Sequence, residues 1–402
     1  MNSNLKVFFY IHHLFAPMLF FSVYAILGWN YIESGQNIIY SGYLVLSSLI
    51  TYTIFLDEIL RRKFLSKTVM ILLLFAVSIC LSGLFYLEFE FVKAQLSLLV
   101  VMVIPSIFGG HFLANMVNKV LLKKMLIIFS VLVVLGVLRV LPTLLNVSVI
   151  ELLDVYGGGQ YQALSYFCAF SALVLFSRLL EHSNRRYWLK IITLLSIIVL
   201  LFGIILSGGR GGLLVVIVGS LLLIKYKLGF NFFRKHFWVA ISVFILILPL
   251  GSSFDFFSDR LDESYNRLFS FVSSEGINME GSSNRDDFYS SSLKLFNDRP
   301  VFGYGFFGTV KHLGNFYPHN LFLELLLHGG ISLLVVSVFV LFVFISKLNQ
   351  ILKVRRDEEV ILIVVVYVFL MLMVSSSYLQ EPGFWFSLSY VFSYPSIVKI
   401  EQ

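Results

Sequence analysis

Ser207-Gly208-Gly209-Arg210-Gly211-Gly212 is a glycine-dense break with one charge, set between two long apolar runs. An arginine there needs a reason, because the segments beside it are too apolar for an ordinary soluble domain. It sits either at a membrane surface or in a polar cavity between helices. The 402 residues are 58% hydrophobic and only 13% charged, with a mean hydropathy of +0.88, far outside the range of globular chains and inside that of polytopic membrane proteins. The net charge of +7 does not point to nucleic acid, because the basic residues lie in short clusters between apolar runs, where they act as topology signals. Cys80 and Cys168 fall inside apolar segments and read as small core residues. No small-residue cleavage pattern follows the first apolar run after Lys6, so that run is expected to stay as the first helix.

A bilayer core takes about 20 apolar residues per helix. Runs of that kind lie at 9–28, 38–56, 68–87, 95–114, 125–145, 161–180, 188–206, 212–226, 237–250, 319–346, 360–378 and 384–398, about twelve transmembrane helices by the same rule. Basic residues near helix ends mark the cytoplasmic side. Arg61-Arg62-Lys63 with Lys67, Lys119 with Lys123-Lys124, Arg185-Arg186 with Lys190, Lys225 to Lys235, and Lys347 to Arg356 occupy every second connection. The whole chain, 1–402, therefore reads as one all-α polytopic membrane domain with both termini cytoplasmic. One outer connection, 251–318, is far longer than a helix link needs and is the expected large periplasmic loop. Within it, Ser283-Asn284-Arg285-Asp286-Asp287 precedes an amphipathic pattern that predicts a surface helix, stopped by Asp298-Arg299-Pro300.

On this topology Arg210 faces outward, and the helix after it starts at the outer face. Exposed N–H groups and the positive dipole end suit an anion there, and the flanking glycines leave room for it to approach. Pro318-His319-Asn320 opens a second helix from the same face. A helix N-terminus disfavours imidazolium, so His319 is expected to stay neutral and able to take a proton. Glu324 and His328, four residues apart on one helix face, are expected to satisfy each other. Arg139 and the Asp154 to Gln160 segment add further polar groups on the outer side. No metal cluster, Walker sequence, dinucleotide fingerprint or Cys/His nucleophile pattern is present, so no metal and no cofactor is expected.

Three segments, Ser207-Gly-Gly-Arg210-Gly, Asn297-Asp-Arg-Pro300-Val-Phe-Gly303-Tyr-Gly305 and Pro318-His319-Asn320-Leu-Phe-Leu-Glu324 ending in His328-Gly329-Gly330-Ile331, resemble in order and spacing the bacterial O-antigen polymerase and O-antigen ligase superfamily. The resemblance implies a glycosyltransferase of the cytoplasmic (inner) membrane with its active site facing the periplasm. Its donor would be an undecaprenyl-pyrophosphate-linked glycan. Its acceptor would be a lipid-linked repeat unit for a polymerase, the reading preferred here, or lipid A core for a ligase. Arg210, Arg285 and His319 match the family's two arginines and its histidine and are the expected catalytic residues. Gly209, Gly211, Arg299, Tyr304 and Asn320 are the expected substrate contacts, Tyr304 with Phe306 as sugar-stacking aromatics. Tyr156-Gly-Gly-Gly-Gln160 is similar to a family segment but lacks the usual Asn-Pro-Asn. Membrane lipid and a chain-length regulator complete the expected partners, with no nucleic acid. A polysaccharide flippase or other transporter is the reading from a different class, and it calls for a charged central path and internal repeats.

Overall fold

Apolar runs satisfy their backbone in lipid by bonding along the helix, and eleven of the twelve runs are helical in the computed structural model. It describes residues 3–28, 34–62, 66–116, 119–146, 160–181, 187–229, 272–273, 276–277, 285–313, 317–355 and 358–395. The helices are α1 (Ser3–Leu27), α2 (Ser34–Arg62) and α3 (Lys67–Leu84). Next come α4 (Glu90–Leu98), which continues through a π-helical stretch, Leu99–Val103, into α5 (Ile104–Ala114). Then follow α6 (Val120–Asn146), α7 (Gln160–Leu179), α8 (Tyr187–Ser207) and α9 (Arg210–Leu228). The run 237–250 lies outside the described residues. The last group is α10 (Arg285–Asp298), a short α11 (Val310–Leu313), α12 (Leu321–Val354), α13 (Glu359–Val374) and α14 (Pro382–Ser393).

Among the described residues nine helical spans are long and apolar enough to cross a membrane, with α13 shorter. The chain is an all-α polytopic membrane protein. Its strand content among the described residues is one antiparallel ladder, β1 (Val272–Ser273) on β2 (Gly276–Ile277), inside the expected large loop. The amphipathic helix expected in that loop is α10, which packs on α12.

Hydrogen bonds and ion pairs between helix ends sort the described helices into two ends. At one end Lys119 is buried with Glu358, Tyr390 and Tyr394, its ammonium bonded to the carboxylate and to the Tyr390 hydroxyl. It also lies 4.7 and 4.8 Å from the two tyrosine ring centres. Tyr394 donates to Glu358 at 3.0 Å. Beside this knot Lys123 and Lys227 meet Glu359 at 2.7 and 3.3 Å. Some lysines that read as topology signals thus also neutralise buried carboxylates at the start of α13, and breaking such a pair costs about 3–5 kcal/mol. The opposite end carries the starts of α7, α9, α12 and α14 and the end of α13. Arg210 and His319 both lie there.

Candidate active site

The glycines around Arg210 are explained first by packing. Gly209 caps α9 in an extended conformation, and its carbonyl accepts from Ser165 Oγ of α7 at 2.7 Å. A Cβ on Gly211 would lie 2.0 Å from the Tyr166 hydroxyl, and one on Gly212 would lie 2.5 Å from the Ser165 carbonyl oxygen. The Cβ faces that the sequence reads as room for a ligand are filled by α7. What they provide is a close seat for the N-terminus of α9, with half-buried Arg210 as its first residue.

Tyr166 links that seat to His319. Its hydroxyl donates to Ser375 Oγ at 2.9 Å, just past the end of α13. The Ser375 carbonyl lies 3.2 Å from His319 Nδ1 and accepts from the Tyr317 hydroxyl, also at 3.2 Å. A carbonyl only accepts, so Nδ1 carries a proton, and when the ring is neutral its lone pair is on Nε2. His319 has a positive φ of 50°, an uncommon left-handed conformation that surroundings must enforce and that concentrates at functional sites. The Tyr317 ring packs on the imidazole with centres 4.4 Å apart.

The helix that His319 precedes begins at Leu321, and Asn320 is its cap, with Oδ1 accepting from the Phe322 and Leu323 N–H groups at 3.0 and 3.2 Å. These donors, expected to face an anion, are taken by the chain's own side chain. Glu324 is buried and bonds the Ser377 hydroxyl and, at 3.4 Å, the Tyr378 N–H. His328 Nδ1 lies 2.8 Å from the Tyr378 hydroxyl. The two residues expected to pair with each other therefore both serve the segment after α13.

That segment, Ser375-Ser-Ser-Tyr-Leu-Gln-Glu381, is the part of the site that sequence reading missed. Gln380 donates to the Tyr317 hydroxyl at 3.4 Å and accepts from Gln95 of α4 at 2.7 Å. Glu381 caps α14 through the Gly383 N–H at 3.2 Å, with Ser376 at 3.5 Å. Loss of hydration pushes the Glu381 carboxyl up to about 7, and burial, with Glu324 nearby, raises Tyr317 above the usual phenol value. The available signal was three serines at the end of one apolar run and a glutamine and a glutamate in the short break before the next. Nothing local distinguishes that from an ordinary turn.

The loop motif and the double glycine of α12 form one joint. Gly330, at φ 62° and ψ −157°, interrupts the helix and releases the N–H groups of Ile331 and Ser332 and the carbonyls of Leu327 and His328. The incoming strand of loop takes up all four. Ile331 and Ser332 donate to Pro300 and Val301 at 2.8 and 3.3 Å, and Tyr304 and Gly305 donate to Leu327 and His328 at 2.8 and 2.9 Å. A kink at membrane depth needs this kind of repayment.

Of the remaining expected residues, Tyr304 has the Arg299 guanidinium 4.7 Å from its ring centre and His312 against it at 5.1 Å. Arg299 itself is exposed. Phe306 packs on His328 at 5.7 Å, turned into the bundle. Arg285 opens α10, and its side chain lies outside the described residues. Arg139 is exposed, 3.6 Å from a Cβ placed on Gly28, and Asp154 to Gly159 are outside the described residues. An apolar cavity of about 420 Å³ runs between α3, α12 and α14, from Leu321 and Tyr378 to Phe392.

A family model described as O-antigen ligase matches residues 195–338, from within α8 to within α12. The match spans Arg210, Arg285, His319 and both halves of the Gly330 joint. No curated protein and no solved structure shows significant similarity to the chain.

Proposed function

We propose that this chain, as a member of the O-antigen polymerase and ligase superfamily, is a membrane glycosyltransferase that extends surface polysaccharide from an undecaprenyl-pyrophosphate-linked donor. The observation that carries the reading is the union of Arg210, at a helix N-terminus, with a strained His319 whose Nε2 holds the lone pair. Gly211, the residue after Arg210, packs on Tyr166, whose hydroxyl bonds Ser375, and the Ser375 carbonyl meets His319. Their position at the end away from the Lys119 and Lys227 carboxylate pairs supports an outer-face site in the inner membrane. The apolar cavity beside Leu321 and Tyr378 suits the hydrocarbon part of a lipid-linked substrate.

In the proposed reaction an acceptor sugar hydroxyl attacks the donor's anomeric carbon while its proton passes to His319 Nε2. The carbon–oxygen bond to pyrophosphate breaks, its electron pair leaves with undecaprenyl pyrophosphate, and a single displacement inverts the anomeric centre. Arg210 and Arg285 neutralise the charge that develops on the departing group. Gly209 and Gly211 contribute by seating the N-terminus of α9. Asn320 holds the turn that presents His319, and Arg299 with Tyr304 borders the acceptor side.

We favour polymerisation over ligation to lipid A core. Glycan profiling of a deletion strain separates the readings: a lost polymerase leaves lipid A core capped by at most one repeat. Long polymer stranded on undecaprenyl pyrophosphate would instead establish a ligase. Single units trapped on the inner leaflet would establish a flippase.

A further inference from the structure

Tyr166 and Ser375 lie outside the segment that the family model matches, yet they join the two halves of the candidate site. We propose that Tyr166 is a positioning residue for His319: by holding Ser375 Oγ it aims the Ser375 carbonyl at Nδ1 and keeps the lone pair on Nε2. The inference rests on the reading of His319 as the proton acceptor.

Free histidine prefers the proton on Nε2, so the opposite tautomer has to be imposed by a fixed acceptor at Nδ1. Here the acceptor is a main-chain carbonyl just past the end of a helix. Ser375 has φ −149° and ψ −15°, outside helical geometry, and its N–H still reaches Met371 at 2.7 Å. Beyond it the helix is over, and the Tyr166 hydroxyl holds its side chain at 2.9 Å. Tyr317 reinforces the same carbonyl and packs on the imidazole. It is steadied in turn by Gln380.

The placement of Tyr166 also accounts for Gly211. The hydroxyl occupies the space where any side chain at 211 would begin, 2.0 Å from an ideal Cβ. The glycine after Arg210 is therefore needed for the tyrosine that orients the histidine, and the arginine and histidine halves of the site are set by one phenol.

The test uses the full chain with ring-15N histidine in detergent micelles, the His319 signals being assigned by their loss in His319→Gln. At neutral pH the wild-type ring is expected to carry its proton on Nδ1. In Tyr166→Phe the population moves toward the Nε2-protonated form, and turnover with lipid-linked donor falls about five- to tenfold, the worth of one misdirected hydrogen bond. Ser375→Ala gives the same change and decides the matter if Tyr166→Phe does not fold. The double variant does no more than either single one. A wild-type ring protonated on Nε2, or a tautomer unchanged in both variants, overturns the inference. Normal polymer from His319→Ala would instead remove the reading of His319 as the base, without touching the tautomer result.

Discussion

Replacing Gly330 with alanine attacks the joint that seats the loop motif on α12. The backbone there, φ 62° and ψ −157°, is a region that essentially only glycine occupies, and an L side chain costs about 1–3 kcal/mol in it. The new Cβ would also lie 2.4 Å from both the carbonyl carbon and the oxygen of Val301 and 2.5 Å from the Pro300 oxygen, all backbone atoms that cannot rotate away. Relieving the clash means moving residues 300–301, which takes apart some of the four hydrogen bonds at 2.8 to 3.3 Å. At about 1 kcal/mol net each, losing two adds about 2 kcal/mol, for a total of about 3–5 kcal/mol. In a chain of this size that lowers the midpoint of thermal unfolding in detergent by roughly 5 °C. Hydrogen exchange at Tyr304 and Gly305 should rise with it. Gly42→Ala is the control, since nothing lies within 4 Å of its Cβ and alanine is the better helix former by about 0.5–1 kcal/mol. If Gly330→Ala unfolds with Gly42→Ala and protects Tyr304 and Gly305 as the wild type does, the joint is not what holds the loop motif in place.

Glu381 supplies a pH dependence. Its folded-state value, about 7, lies above the ordinary carboxylate value of 4.5, so the folded chain holds a proton that the unfolded chain has lost. The stability this group contributes is complete below about pH 4.5 and falls away as pH rises to about 7. Thermal midpoints across that window should decline more steeply in the wild type than in Glu381→Gln, and identical slopes would refute the assignment. At the other end of the bundle, Lys119→Met leaves Glu358 buried with tyrosine hydroxyls as its side-chain partners among the described residues and should cost about 3–5 kcal/mol. Adding Glu358→Gln should restore most of that loss in the same unfolding assay.

The spans were legible because hydrocarbon thickness and backbone satisfaction act on each run by itself, so the α8 and α9 edges fall within a residue or two of the apolar runs. The site was legible only in part. Arg210 and His319 stood out as polar groups at predicted helix starts, a local property. The meaning of the glycines did not, since Gly211 and Gly212 are read by what packs on them, and their neighbours Ser165 and Tyr166 come from a helix more than 40 residues earlier. Glu324 and His328 share a helix face, which correctly brings them near each other, but a facing turn supplied better partners in Ser377 and Tyr378. The same holds for Ser375 to Glu381, whose role exists only in the folded bundle. In contrast, the Asn297 to Gly305 and His328 to Ile331 motifs, read separately in the sequence, prove to be one object, because Gly330 frees backbone groups that the loop satisfies.

The most direct test of the central claim is the glycan chain-length profile of a deletion strain complemented with Arg210→Ala or His319→Ala, with membrane protein levels matched to wild type. The account predicts that both variants abolish polymer, the histidine by removing the proton acceptor and the arginine by removing one of the two cations that neutralise the pyrophosphate. Wild-type chain length and yield from either variant would contradict it.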